Sequence, residues 1–496
     1  MNSHGRFVRK PNPQSRFSII TLLVMLVLAV CFGLIAYAAA GDPDESFTGD
    51  GRARTDFFGS YDEATDVIQQ TDGKILAVGY ANTRSTGADF ALVRYNIDGS
   101  LDTSFSDDGK VNTDFGSSEF GLGVALQSDG KIVVCGLKVI DNKSNFAVAR
   151  YNMDGTLDPT FGGDGKVTTD FFGEDDRGVS VDIQTDGKIV VVGAADRISQ
   201  GGGLTSDFAV ARYNTDGTLD QTFSQDGKVT TNILGQIDFA EDVRVLQSGK
   251  ILVVGSCVST ETGSDFAMVR YNSDGSRDTS FSGDGKVNTD FNHGGEIAHA
   301  LTIQEDQKIV LAGFTFDGHY HFAVARYNTD GSRDMTFDGD GRQTTSYPDP
   351  DWDIAGYAVG IQTDGKIVVM GRTREDTSDI VIVRYNTNGS PDTSFSKDGL
   401  VKKNFGSDES TTAGTLQSDD RIVVAGTSGP QRNMRRRYNF LVTRFQSADV
   451  TTTAPSSESA TEGADGDQDS TSPARDLNSD MPEMMPEEYL VVGTRR

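Results

Sequence analysis

Short runs of alternating apolar and polar residues fill the middle of the chain. Lys166-Val-Thr-Thr-Asp-Phe171 alternates, and Val179, Val181 and Ile183 do so again up to Gln184, the period of a half-buried strand. Thr185-Asp-Gly-Lys188 marks a hairpin turn, because Asp-Gly accepts positive φ. Ile189 to Val192 is a continuous β-branched run that suits a strand covered on both faces. Phe208-Ala-Val-Ala-Arg-Tyr213 supplies a fourth strand, and Asn214-Thr-Asp-Gly217 turns the chain. The pattern predicts four strands in a unit over 165–217, and no helical period appears between 41 and 446.

The unit recurs. Arg-Tyr-Asn starts at Arg94, Arg150, Arg212, Arg270, Arg326 and Arg384, with a degenerate copy at Arg444, at spacings of 56 to 62 residues. A glycine follows the third strand each time, at Gly79, Gly136, Gly193, Gly255, Gly313, Gly371 and Gly426. Self-similarity at such a period means that each unit buries its apolar face against its neighbours. Four antiparallel strands written seven times predict an all-β, seven-bladed β-propeller, whose radial arrangement leaves only short edges. A linear solenoid is the rival, but it would need polar terminal caps. Here the region opens on Asp44-Glu-Ser-Phe47-Thr-Gly-Asp-Gly51, the second half of an inter-unit linker, and closes just after a fourth strand at Phe445. Joining the two would regenerate a linker and close the ring.

The flanks have other patterns. Residues 17–40 carry no charge and follow Arg6, Arg9, Lys10 and Arg16. The segment is long enough to cross a bilayer and ends in Ala38-Ala39-Ala40, a small-residue cleavage site. Residues 1–40 are therefore expected to be a signal peptide or an N-terminal membrane anchor, with the rest extracytoplasmic, either secreted or tethered; membrane contact is expected only through 17–40 if uncleaved. Residues 447–496 are rich in Ser, Thr, Asp and Glu without period and read as a disordered acidic tail. The seven repeats occupy 41–446.

The formal net charge is −28, and residues 41–446 hold 62 acidic against 38 basic side chains. Such an excess argues against nucleic acid as a partner, since phosphate neutralisation needs clustered Lys and Arg. Cys135 and Cys257 sit at non-equivalent positions of different units, which predicts buried free thiols.

Candidate chemistry lies in the loops. The first-to-second and third-to-fourth loops share one predicted face, and the latter vary most in length, as binding loops on a rigid scaffold do. Tyr347-Pro-Asp-Pro-Asp-Trp352 holds the only Trp, a platform for a sugar or peptide. Arg432, Arg435, Arg436 and Arg437 form the one dense basic patch of the repeats. His293, His299, His319 and His321 all fall in the fifth unit, where two loops of one face could offer them to a transition metal. The linkers repeat an oxygen-rich set such as Asn214, Asp216, Asp220 and Asp226. These could hold Ca²⁺, but Asp and Asn also stabilise turns through their own backbone, and Arg212 stands where a further acidic ligand would be expected. No cofactor is required by any motif.

Asp265-Phe-Ala-Met-Val-Arg-Tyr-Asn-Ser-Asp-Gly-Ser-Arg-Asp-Thr-Ser-Phe-Ser-Gly-Asp-Gly-Lys-Val287 resembles the bacterial delta-60 repeat family. The resemblance covers 42–446, with His321 and Asn439 replacing an Asp before the fourth strand and a shortened turn at Ser248-Gly249. It implies a propeller-like repeat and no activity or active-site residues. The first functional expectation is an extracytoplasmic binding or adhesion module that presents its variable loops to a protein or glycan. The alternatives are an exported metal-dependent enzyme with a site at the propeller face or channel, and a structural component of the cell envelope. No nucleophile elbow, His-Glu-x-x-His or phosphate loop is present.

Overall fold

The computed structural model describes residues 35–453, apart from 84–86, 200, 236, 260, 292–293, 350–351, 375–376, 431–436 and 449. The described residues contain strands and turns and no α-helix. In the third unit the strands are Asp176–Ile183, Ile189–Ile198, Leu204–Tyr213 and Lys228–Thr231, antiparallel and in that spatial order. The same four-stranded meander repeats along the chain. The fourth and fifth copies are joined into one eight-stranded sheet by a parallel bridge between Ser264 and Gly295, with Lys286–Thr289 branching off its main path.

One boundary differs from the sequence expectation. Lys166–Thr169, which the alternation placed at the start of the third unit, is the outer strand of the preceding sheet and pairs with Lys143–Tyr151. The cause is the long linker, which folds back on its own sheet. Arg150 N–H donates to Gly165 O, Asp158 N–H donates to Arg150 O, and Arg150 Nε bonds Asp158 at 2.8 Å. The linker is thus a connection within a sheet, and the short segment after each outer strand leads to the next unit. Both ends of the repeat region obey this rule. Arg52–Thr55 is the outer strand on Asn439–Phe445, and Asp44 bonds Arg444 Nε at 2.6 Å across the sequence.

The Arg-Asp pair is the main polar element of the core. In all seven units Arg Nε lies 2.6 to 2.8 Å from the linker Asp. In the third unit the Arg212 guanidinium also packs over the Phe223 ring at 4.6 Å and donates to the Ser273 carbonyl of the next unit. Tyr213 donates to Thr169 on the outer strand of the preceding sheet at 2.8 Å. Each Arg-Tyr pair thus faces both neighbours, while Val190, Val192, Phe208 and Val210 pack with Val243, Ile251 and Val253 of the next unit.

Each inner strand carries a β-bulge, between Gly178 and Ser180 in the third unit. The glycine opposite is required by it: a Cβ on Gly193 would overlap the carbonyl oxygen of Arg177. Gly193→Ala is expected to cost roughly 2–3 kcal/mol, because the strand must move to admit the methyl group. Thermal melting followed by circular dichroism checks this, and an unchanged midpoint would show that the bulge is soft.

Residues 40–447 fall in one compact unit; outside it a two-stranded ladder pairs Ile35–Ala38 with Val450–Thr453. No helix of the described residues is long and apolar enough to cross a membrane, and most of 17–40 lies outside the described residues. Cys135 and Cys257 are buried free thiols.

Candidate functional site

The bulges decide what the inner strands present. Each adds one residue on the inward side: Thr65, Leu122, Val179, Glu241, His299, Tyr357 and Thr412. All seven line a single cavity of about 590 Å³ bounded by the inner strands of every unit. The bulge falls near the start of each inner strand, so these side chains lie toward the face that carries the variable loops.

Farther along the strands the lining is structural. Asp66 accepts Val124 N–H at 2.8 Å, Asp182 accepts Val245 N–H at 2.7 Å, and Asp242 accepts Leu301 N–H at 2.9 Å. These carboxylates pin neighbouring inner strands together. Burial pushes Asp66 up to about 7, and Asp242 beside Arg244 raises that guanidinium further.

The chemistry concentrates between the fourth, fifth and sixth units. Glu241 Oε2 lies 3.6 Å from His299 Nδ1. The His299 ring stacks on Tyr357, with centroids 4.9 Å apart and an interplanar angle of 26°. His299 Nε2 is buried and has no hydrogen-bond partner among the described residues. Two guanidiniums frame this pair: Arg372 lies over the Tyr357 ring at 4.7 Å, and Arg374 Nη1 donates to the Tyr357 hydroxyl at 3.5 Å while covering Tyr320 at 4.0 Å. A partly buried imidazole whose enclosed nitrogen is open, with a carboxylate beside the other nitrogen and guanidiniums nearby, can bind a hydroxylated anion, or move a proton.

The remaining sequence candidates disperse. His319 faces Asp353 at 3.1 Å and His321 faces Asp317 at 2.9 Å, so each described histidine has its own carboxylate. Among the described residues no histidine joins a group of three metal ligands. His293 lies outside the described residues, as do Arg432, Arg435 and Arg436; Arg437 is exposed. Trp352 is stacked with Tyr347 at 5.3 Å, and Lys402 Nζ sits 2.9 Å from its ring centre, so part of its face is already covered.

The linker acids serve their turns. Asp216 accepts both the N–H and the hydroxyl of Thr218, Asp226 accepts Lys228 N–H, and Asn214 donates to Thr218. Asp220 takes Arg212, Thr222 and Lys188. Among the described residues two other carboxylate groups stand at the opposite ends of the strands, Asp89 with Asp114 and Glu119, and Asp265 with Asp290 and Glu296, each within 4.8 Å.

Six segments, 70–105, 127–161, 184–223, 246–281, 304–337 and 362–395, match the sequence model of a domain of unknown function (DUF5122) described as a β-propeller. The chain is a β-propeller-like repeat protein. No curated protein matches it. Distant solved structures are similar to this propeller-like chain. Polysaccharide lyase Uly1 is 11% identical at a TM-score of 0.45, over 83% of this chain and 97% of its own. A catalytically inactive virginiamycin B lyase from Staphylococcus aureus with quinupristin is 10% identical at 0.44, over 79% and 98%. Sqt1 from Chaetomium thermophilum is 12% identical at 0.41, over 78% and 97%.

Within this propeller-like frame, sequence reasoning found His299 and missed Glu241, Tyr357, Arg372 and Arg374. A signal existed. Aligning the seven copies on their landmark glycines sets Thr65, Leu122, Val179, Glu241, His299, Tyr357 and Thr412 in one column, where the chemistry changes from unit to unit while the framework repeats.

Proposed function

We propose that the chain is an exported, closed seven-bladed β-propeller of the delta-60 type that binds an acidic glycan at the loop-side mouth of its central cavity. Closure is supported by the strand that the beginning of the repeat region lends to its end, Arg52–Thr55 on Asn439–Phe445. Export rests on the uncharged segment 17–40 behind its basic flank. The observation that carries the binding site is His299, stacked on Tyr357 beside Glu241 with its Nε2 buried and unpartnered. A sugar hydroxyl would satisfy that nitrogen, and Arg372 and Arg374 would attract a carboxylate or sulfate.

Calorimetric titration with an oligogalacturonate tests this. His299→Ala and Tyr357→Ala are each expected to weaken binding about tenfold, the loss of one buried polar contact. An affinity unchanged in both variants would remove the site, and no binding of any uronate oligomer would remove the ligand class.

A second reading is an acid-base enzyme at the same place, favoured by the 3.6 Å approach of Glu241 to His299. It requires that the bound oligosaccharide be cleaved and that His299→Ala abolish turnover.

A further inference from the structure

Three carboxylates meet where the fourth and fifth units join. Asp265 lies near the start of the third strand of the fourth unit, Gly263–Tyr271, Asp290 follows its outer strand, and Glu296 is the second residue of the inner strand of the fifth, Gly295–Ile303. One oxygen from each lies within 4.8 Å of the others, beside the Ser264–Gly295 bridge that joins the two sheets. Asp265 and Glu296 are buried, at 1% and 0% exposure.

Glu296 sets this group apart. Its Oε1 accepts the Thr315 hydroxyl at 3.2 Å, but its fully buried Oε2 has no hydrogen-bond partner among the described residues. In the related group, Glu119 accepts Phe115 N–H, Ser117 N–H and the Ser117 hydroxyl, so both its oxygens are served. A buried carboxylate oxygen with no donor, next to two more carboxylates, needs a positive partner. That partner is a proton or a cation.

We propose that Asp265, Asp290 and Glu296 bind a hard divalent cation, Ca²⁺ foremost, which clamps the junction between the fourth and fifth units. All-oxygen donors select Ca²⁺, Mg²⁺ or Mn²⁺ over softer metals, and a buried, multiply charged set favours Ca²⁺, which sheds its water more readily than Mg²⁺. The site is separate from the His299 cavity and does not depend on how that cavity is used.

The test is calorimetry and thermal melting of the EDTA-treated full chain with CaCl₂, then MgCl₂ and MnCl₂. Ca²⁺ is expected to bind and raise the melting temperature by a few degrees. Glu296→Gln, similar in shape but uncharged, is expected to lose about one equivalent of bound Ca²⁺ and the shift, whereas Glu119→Gln keeps both. Should Glu296→Gln fold poorly, Asp290→Asn at the half-exposed edge gives the same reading, with at least tenfold weaker binding expected. No binding of any of the three cations, which leaves the proton as the partner, overturns the proposal. So does a stoichiometry unchanged in both Glu296→Gln and Asp290→Asn.

Discussion

Arg212→Ala is expected to lower the unfolding free energy by about 3–5 kcal/mol, although it removes a charge from a chain with abundant surface charge. Arg212 is 4% exposed, and its guanidinium serves four partners: Asp220, Thr222, Gln184 and the Ser273 carbonyl of the next unit. Its face also covers Phe223. Truncation leaves Asp220, itself 3% exposed, with Lys188 as its remaining cation, and opens a space against the aromatic ring. Removing one member of a buried pair costs far more than the pair contributes, because the other member keeps its desolvation penalty. Arg212→Lys should recover little, since an ammonium cannot reach carboxylate, hydroxyl and carbonyl at once. Denaturant unfolding followed by circular dichroism gives the answer, and a loss below about 1 kcal/mol would show that the repeated Arg-Asp pair is an ornament of the linker.

The second large effect concerns pH and runs against the usual neutral optimum. Asp62, Asp176 and Asp238 open inner strands at full burial, and desolvation pushes each up to about 7. Each accepts one backbone N–H, from Phe57, Phe171 and Ile233, but these bonds, with Lys110 and Lys286 nearby, do not offset the burial, to which Asp56, Asp170, Asp196 and Asp207 add repulsion. A carboxyl group with a raised folded value holds its proton more tightly folded than unfolded. Its contribution is complete below the unfolded value near 4 and is lost as pH rises to 7. The linker acids act oppositely. At Asp158, Asp334 and Asp392 burial is outweighed by hydroxyl and backbone N–H donors and by Arg and Lys, which hold them down to about 2. Their stabilisation is present above the unfolded value and disappears as pH falls toward 2. Stability should therefore peak near pH 4–5, with the melting temperature about 5 °C higher than at pH 8 and falling steeply below pH 3. Melting curves across that range decide it; a maximum at neutral pH would mean that the three strand-opening carboxylates are ionised without cost.

The repeat, its four strands and its turns were legible because period-two alternation and Asp-Gly pairs are local signals. Ownership of the outer strand was not. Lys166-Val-Thr-Thr169 has the same alternation whichever sheet it joins, and only the fold-back held by Arg150 and Asp158 decides. The bulge was hidden for a similar reason: Val179 looks like one more inward residue of a regular strand, and Gly193 opposite the register shift reads as the end of a strand until the two are seen paired. The cavity then gathers Glu241, His299 and Tyr357, each about one repeat from the next, so no short window contains two of them. Of these only the histidine is rare enough in this chain to attract notice. Calcium in the linkers was suggested by the right residue types, but their oxygens are occupied by turns and by Arg, and the group with an unserved oxygen stands at the other end of the strands.

The strand lent by Arg52–Thr55 to Asn439–Phe445 bears on how the protein comes into being. Asp44 and Arg444 are separated by 400 residues, so the last sheet cannot gain its outer strand until almost the whole repeat region has left the ribosome. Contacts so distant in sequence are slow to form. A chain interrupted before residue 439 would leave Arg52–Thr55 without its partner and the edge of Ile422–Gly429 unpaired, a ready target for proteases and for pairing with other chains. The pairing of Arg52–Thr55 with Asn439–Phe445 therefore belongs to the last steps of folding, after both ends of the repeat region have been made.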